Sequence, residues 1–243
     1  MDEFFGKVVV ITGAARGQGL LEAQLLTERG ASVVLCDILE DEGHRAAQSL
    51  GAKATFVLMD VTREADWHNA LDVAKSMGDV HGLINNAGIY DPTSIRDTSE
   101  DNFNRHYRVN QFGPFLGMKI FSEHMRSVKN GSIVNIGSAA GMRGSPNSFS
   151  YCATKWALRG MTKALAADVG HDNVRVNYVA PGPVNTSMIS FRGDEENARR
   201  ARLVPFGRLA DAEDVAPTVI FLLSDASKYI TGAEIIIDGG LYL

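Results

Sequence analysis

The glycine-rich turn Gly13-Ala14-Ala15-Arg16-Gly17-Gln18-Gly19 constrains this chain more than any other segment, because of what flanks it. Upstream, Val8-Val9-Val10-Ile11-Thr12 is a short β-branched apolar run, which reads as a buried parallel strand. Downstream, Leu20-Leu21-Glu22-Ala23-Gln24-Leu25-Leu26 has a helical pattern ended by Gly30. A second strand, Val33-Val34-Leu35-Cys36-Asp37, closes on an acid. Strand, glycine turn, helix, strand, acid is the order a dinucleotide site requires. Glycines let the backbone approach a pyrophosphate at a helix N-terminus, where free N–H groups and the dipole favour negative charge. Asp37 falls 18 residues after Gly19, about where a carboxylate accepts hydrogen bonds from an adenosine ribose. The spacing is Gly-x-x-x-Gly-x-Gly rather than Gly-x-Gly-x-x-Gly.

The alternation continues to the end of the chain. Helical patterns over residues 41–50 and 63–77 flank a strand over 54–59, and Thr62 is placed to cap the second of them. Strand Gly82-Leu83-Ile84-Asn85 runs into Asn86-Ala87-Gly88. Thr98-Ser99-Glu100-Asp101 predicts a capping box opening a long helix that carries Asn110 and is interrupted near Gly113-Pro114. Strand 132–136 ends at Gly137-Ser138, a helix holding Tyr151 runs to about Gly170, and strand 174–178 leads to Pro181-Gly182-Pro183. A weak, mixed pattern over residues 187–208 predicts a substrate lid, followed by a helix over 211–223 and a last strand over 233–238. Seven strands alternating with helices predict one α/β domain over residues 1–243: a doubly wound Rossmann-type parallel sheet with helices on both faces. Ligands of such sheets bind outside the carboxyl ends of the strands, and Asp37, Asp60, Asn86, Ser138 and Pro181 all fall there.

Composition narrows the function classes. With 45% hydrophobic and 22% charged residues the chain has ample material for a core. A net charge of -5 argues against an extended nucleic-acid footprint. No stretch approaches the roughly 20 apolar residues of a membrane helix, and the apolar run near the acidic N-terminus is too short for a signal peptide. Cys36 and Cys152 form no disulfide framework, consistent with a reducing, cytoplasmic setting. The six histidines lack paired spacing, so no catalytic metal site is expected.

Chemistry enters with Tyr151 and Lys155. On a helix, four residues of separation put phenol and ammonium on one face, a turn apart. A free tyrosine titrates near pH 10; a cation beside it favours the phenolate and draws the group toward the working range. With these residues laid out, the chain resembles the short-chain dehydrogenase/reductase family over nearly its whole length. Residues 12–19 match the family's cofactor turn, in which Gly13, Arg16, Gly17, Gln18 and Gly19 would meet the cofactor. Asp60-Val61 matches the acid that contacts adenine, and Asn86, Ala87 and Gly88 belong to the motif that steadies the central sheet. Asn110, Ser138, Tyr151 and Lys155 match the four catalytic positions. Pro181, Gly182, Val184 and Thr186 match the loop that holds the nicotinamide carboxamide.

The resemblance implies that Tyr151 exchanges a proton with the substrate oxygen and that Lys155 lowers its pKa and binds the nicotinamide ribose. Ser138 would polarise the substrate oxygen, and Asn110 would hold a water linking Lys155 to solvent. Taken singly, Ser138 also reads as a strand-end cap and Asn110 as a helix hydrogen-bonder. For the cofactor, Arg16 resembles the basic residue of NADP-preferring members and Asp37 the acid of NAD-preferring ones; the acid is expected to prevail, giving NAD(H). Tyr90, Met142, Met188, Ile189 and Phe191 are candidates for an apolar substrate pocket, although core packing explains each nearly as well. The runs 137–141 and 155–160 look most like members that oxidise hydroxysteroids and alicyclic secondary alcohols. The alternatives are a 3-oxoacyl-carrier-protein reductase and a non-catalytic, NAD-sensing binding protein. Family resemblance implies a homotetramer, and the apolar end Leu241-Tyr242-Leu243 is expected to pack on its own fold or a neighbour.

Overall fold

In the computed structural model, which describes residues 3–189 and 193–242, apolar alternation sorts the strands into two cores. On β1 (Lys7–Thr12), Val8 and Val10 join one buried cluster while Val9 and Ile11 join the other. On β2 (Ser32–Asp37), Val34 and Cys36 face the first and Val33 and Leu35 the second. This period of two, apolar on both faces, is what a sheet covered by helices on both sides demands. β3 (Ala54–Leu58), β4 (Asp79–Asn85), β5 (Gly131–Ile136), β6 (Val174–Pro181) and β7 (Glu234–Ile237) complete a sheet of order β3-β2-β1-β4-β5-β6-β7. Every strand pairing is parallel.

Helices α1 (Gly17–Glu28), α2 (Glu40–Leu50) and α8 (Ala212–Leu223) cover one face. The other is covered by α3 (Glu64–Met77), α5 (Gly113–Val128) and α6 (Phe149–Val169), with Trp67 and Phe121 filling its core edge to face. Two shorter helices, α4 (Glu100–Tyr107) and α7 (Asp194–Ala201), lie at the periphery. The chain winds outward from β1 to β3, then returns to start β4 on the other side of β1. That reversal opens a crevice at the carboxyl ends of the strands. Among the described residues, no helix is long and apolar enough to cross a membrane.

Three local expectations need correction. Arg63, not Thr62, holds the N-cap position of α3, without a side-chain cap; the Thr62 N–H is taken by Asp60 Oδ1 instead (2.9 Å). Ser99 caps α4 by accepting the Asn102 N–H (3.1 Å), but no full capping box forms, because the third helical residue is Asn102, which donates to Asp91 Oδ2. The long helix is broken one turn earlier than expected, by a π turn over Arg108–Phe112. Pro114 sits in the first turn of α5, where its missing N–H costs nothing.

Candidate active site

The glycine turn is latched to the central strands by short side chains. Thr12 Oγ1 accepts the N–H groups of Asn86 (3.1 Å) and Ala87 (3.0 Å), and Asn86 Nδ2 donates to the carbonyls of Thr12 and Gly13 (2.9 and 3.1 Å). Gly13 and Gly17 occupy the left-handed region (φ 66° and 60°) that glycine enters at little cost. Gly19 is needed for a different reason: a Cβ there would stand 2.6 Å from the Gly13 carbonyl oxygen and 2.7 Å from Asn86 Nδ2. It packs beneath the turn rather than lining the cleft. Asp37 ties the turn from the second strand, accepting the N–H groups of Ala15 (3.0 Å) and Leu39 (3.1 Å). Arg16 is half-exposed and turned toward Glu42 (3.7 Å).

These residues fit a dinucleotide. The first turn of α1 has no side-chain cap, so its N–H groups remain available to an anion. Asp37, Asp60 and Val61 line the far wall of the same cleft. Its volume, about 1560 Å³, exceeds the roughly 300–1,000 Å³ that suffices for one drug-sized ligand. Ala87, Gly88, Pro181, Gly182, Val184 and Thr186 continue the rim. Gly182 has no room for a side chain, since a Cβ would stand 2.9 Å from Asp238 Cα.

Beneath the turn lies a residue whose role the helical pattern alone does not reveal. Glu22, fully buried on α1, accepts from Gln18 Nε2 through Oε1 (2.9 Å), while Oε2 has no hydrogen-bond partner among the described residues. Burial pushes its carboxyl up to about 8.

Of the expected tetrad, Ser138, Tyr151 and Lys155 line this cleft, and Asn110 is buried behind Gly88. Lys155 is buried; Nζ donates to the Ile136 carbonyl (2.8 Å) and lies 5.6 Å from the Tyr151 ring centroid. Desolvation draws its ammonium down to about 8, so it is still mostly charged at neutral pH. Ser138 Oγ accepts the Ala140 N–H (3.1 Å), which orients the hydroxyl and leaves its own proton to donate. Asn110 sits in the π turn, and its amide is engaged by the main chain: Oδ1 accepts the Ile89 N–H (2.8 Å) and Nδ2 donates to the Ile89 carbonyl (2.9 Å). Tyr151 lies edge-on to Tyr90 (centroids 4.9 Å) and to the buried His106 (6.5 Å).

The candidate substrate wall is only partly as expected. Tyr90, Met188 and Ile189 line the cleft, with Tyr90 Oη 3.0 Å from Ser148 Oγ. Met142, four residues past Ser138, packs against the core and is not part of the cleft wall. Phe191 lies outside the described residues. Two contacts near the site join segments far apart in the chain. Arg143 stacks 3.5 Å from the ring centroid of Tyr242, which joins the loop after Ser138 to the C-terminal segment within the same chain. His106 accepts the Asp91 N–H (3.2 Å) at Nε2, which leaves Nδ1 to donate to the Asn102 carbonyl (2.8 Å). Tyr242, in the apolar end expected to pack on its own fold or a neighbour, thus packs on its own fold; a histidine in a polar helix carries no recognisable spacing, so only the folded chain reveals His106.

A family profile described as enoyl-(acyl carrier protein) reductase matches residues 13–242. The chain is 40% identical to trans-4-hydroxycyclohexanecarboxylate dehydrogenase of Sinomonas cyclohexanicum, over 98% of this chain and 94% of that one. It is 39% identical to 3-alpha-(or 20-beta)-hydroxysteroid dehydrogenase of Mycobacterium bovis (strain ATCC BAA-935 / AF2122/97), over 97% and 89%. Among solved structures, a 3-oxoacyl-[acyl-carrier protein] reductase of Brucella melitensis with bound NAD superposes with a TM-score of 0.92 at 32% identity, covering 100% of this chain and 93% of that one. The latched glycine turn, the cleft at the strand ends and these likenesses lead to one conclusion: the chain belongs to the short-chain dehydrogenase/reductase family, as an oxidoreductase that acts on alcohol groups with a nicotinamide cofactor.

Proposed function

We propose that the protein interconverts an apolar cyclic secondary alcohol, of the hydroxysteroid, alicyclic or aryl type, and its ketone, using NAD(H) and the tetrad Asn110, Ser138, Tyr151 and Lys155. The observation that carries this reading is the buried Lys155 ammonium, clamped on the Ile136 carbonyl and held 5.6 Å from the Tyr151 ring. Because the ammonium itself is buried, water screens its charge poorly, and a positive charge at that range favours the phenolate more than it would in solution. Tyr151 then takes the hydroxyl proton in oxidation and returns it to the carbonyl oxygen in reduction. Ser138 donates to the same oxygen as its charge grows. The bound nicotinamide supplies the hydride or accepts it. Because the Asn110 amide is already engaged by Ile89, a water relay to Lys155 would rest on the main-chain carbonyl of the π turn.

Asp37 supports NAD(H). A carboxylate about 4 Å from a 2′-phosphate repels it by roughly 4 kcal/mol at an effective dielectric near 20. Arg16 offers little in return, since it is half-exposed and already faces Glu42. Tyr90, Met188 and Ile189 give the substrate end its apolar wall, and the hydroxycyclohexane and hydroxysteroid relatives agree with a cyclic alcohol.

A second reading, 3-oxoacyl-[acyl-carrier protein] reduction, is favoured by the solved relative. Docking an acidic carrier needs unengaged cations at the cleft mouth. Here Arg105 faces Asp91 (3.3 Å), Arg199 and Arg200 share Glu196 (2.7 Å each), and Arg143 stacks on the Tyr242 ring. Half-exposed Phe103, Tyr107, Phe115 and Trp156 on α4, α5 and α6 support the homotetramer, which sedimentation at micromolar concentration tests.

Tyr151→Phe tests the mechanism: turnover is expected to vanish while NADH still binds, and persistent turnover refutes Tyr151 as the proton carrier. A substrate panel of steroid, alicyclic and acyl-thioester compounds, run with NADH and NADPH, separates the two substrate readings. Preference for the thioester overturns the cyclic alcohol.

A further inference from the structure

Tyr178 on β6 is fully buried, yet its hydroxyl lies among the main-chain atoms of two tetrad residues. Tyr178 Oη accepts the Ser138 N–H (3.1 Å) and stands 3.3 Å from the Ser138 carbonyl and 3.2 Å from the Lys155 carbonyl. Its single proton is thus shared between two acceptors that belong to different elements. Lys155 is thereby held at both ends: its Nζ on the Ile136 carbonyl, and its main chain through Tyr178 to Ser138, two residues further along. The ring has a slot made for it. A Cβ at Gly137 would lie 1.8 Å from Tyr178 Cζ, and one at Gly141 would lie 2.2 Å from Oη. Neither glycine has a positive φ, so backbone conformation does not explain them; the volume of Tyr178 does.

We infer that Tyr178 is a positioning residue of the active site: its hydroxyl sets the separation between Ser138 at the end of β5 and the α6 turn that carries Tyr151 and Lys155. The inference rests on the tetrad reading above. An apolar residue of the same size would fill the slot equally well, but would leave the Ser138 N–H unpaired and break the link between the Ser138 main chain and the Lys155 carbonyl on α6. Burial pushes the phenol upward, so it stays protonated and keeps donating across the working pH range.

Tyr178→Phe removes the hydroxyl and keeps the ring. The expected result is a fall in kcat of about tenfold, the worth of about one buried hydrogen bond. The Kd for NADH should stay within about twofold, and the limb of the oxidation pH profile set by Tyr151 should move to higher pH as the lysine loosens. In a Ser138→Ala background the same change should cost clearly less kcat than it does alone, because one of the two groups being positioned is gone. A native kcat and pH profile in Tyr178→Phe, or an equal loss in both backgrounds, overturns the inference. Tyr151→Phe, run alongside, keeps the two claims apart: turnover there sinks the tetrad, whereas a dead Tyr151→Phe with a native-like Tyr178→Phe sinks only the positioning role. Should Tyr178→Phe fail to fold, amide hydrogen exchange of Ser138 in the unaltered protein decides: a protected amide sustains the tie, and exchange at the rate of a free strand end removes it.

Discussion

The two halves of the cleft are built by different means. On the nucleotide side, the turn, β1, β2 and β4 are stitched by buried or half-buried contacts among Thr12, Asn86, Asp37 and the main chain, with glycines where atoms approach too closely for a side chain. On the substrate side, the wall comes from the segment after Ser138, the α7 region and the C-terminal residues, held by exposed contacts such as Glu196 with Arg199 and Arg143 on Tyr242. Buried, main-chain-based contacts tolerate no change of volume, whereas exposed ion pairs are screened by water and are individually weak. The nucleotide half should therefore be brittle, and the substrate half open to adjustment.

The sharpest way to break this contrast is Gly19→Ala. Its Cβ would meet main-chain and amide atoms at 2.6 and 2.7 Å, so the turn must move. Dinucleotide affinity, read by fluorescence titration, should fall at least about a hundredfold, ~3 kcal/mol; native affinity would show that the turn is not rigid. Comparable in size is Glu22→Gln. Glu22 is raised from an ordinary 4.5 to about 8 in the fold. Below about pH 4.5 both folded and unfolded chains hold its proton and stability is full. As pH rises the unfolded chain alone gives the proton up, and the loss is complete only above about pH 8. The isosteric amide should thus stabilise the protein by up to about 4 kcal/mol at pH 8 and by under about 1 kcal/mol at pH 5. A gain independent of pH in thermal melts would mean that the carboxyl is ionised in the fold.

Asp37→Ala comes third. Discrimination between NAD and NADP, measured as the ratio of kcat/KM values, should erode by about tenfold, and unchanged selectivity would remove Asp37 as the reader of the ribose. The smallest effect belongs to the other half: Glu196→Gln frees Arg199 and Arg200, and the KM for a neutral cyclic alcohol should change less than about threefold. A large change there would show that the substrate half is as tightly specified as the nucleotide half.

Much of this was legible in the chain itself, for local reasons. Val8 to Thr12, the glycines after it and the acid at the end of the next strand are set by short-range sterics and a two-residue period, so the parallel, doubly wound sheet can be read from them. The spacing of Tyr151 and Lys155 likewise needs only the pitch of one helix. Thr62 misled because the helix starts at Glu64, one residue later than the pattern suggests, which leaves Arg63 at the N-cap while Asp60 takes the Thr62 N–H. Met142 misled because sequence distance from Ser138 does not say which side of a short turn faces the core.

The sequence by itself thus determined the strand and helix order, the glycine turn and the residue types of the proposed tetrad, since each depends on neighbours a few positions away. Only the tertiary structure decided that Tyr178 would fill the gap left by Gly137 and Gly141, that Glu22 would be sealed without a second hydrogen-bond partner among the described residues, and that Tyr242 would meet Arg143. Those outcomes turn on volumes and charges brought together by segments far apart in the chain, and close packing, unlike periodicity, has no one-dimensional signature.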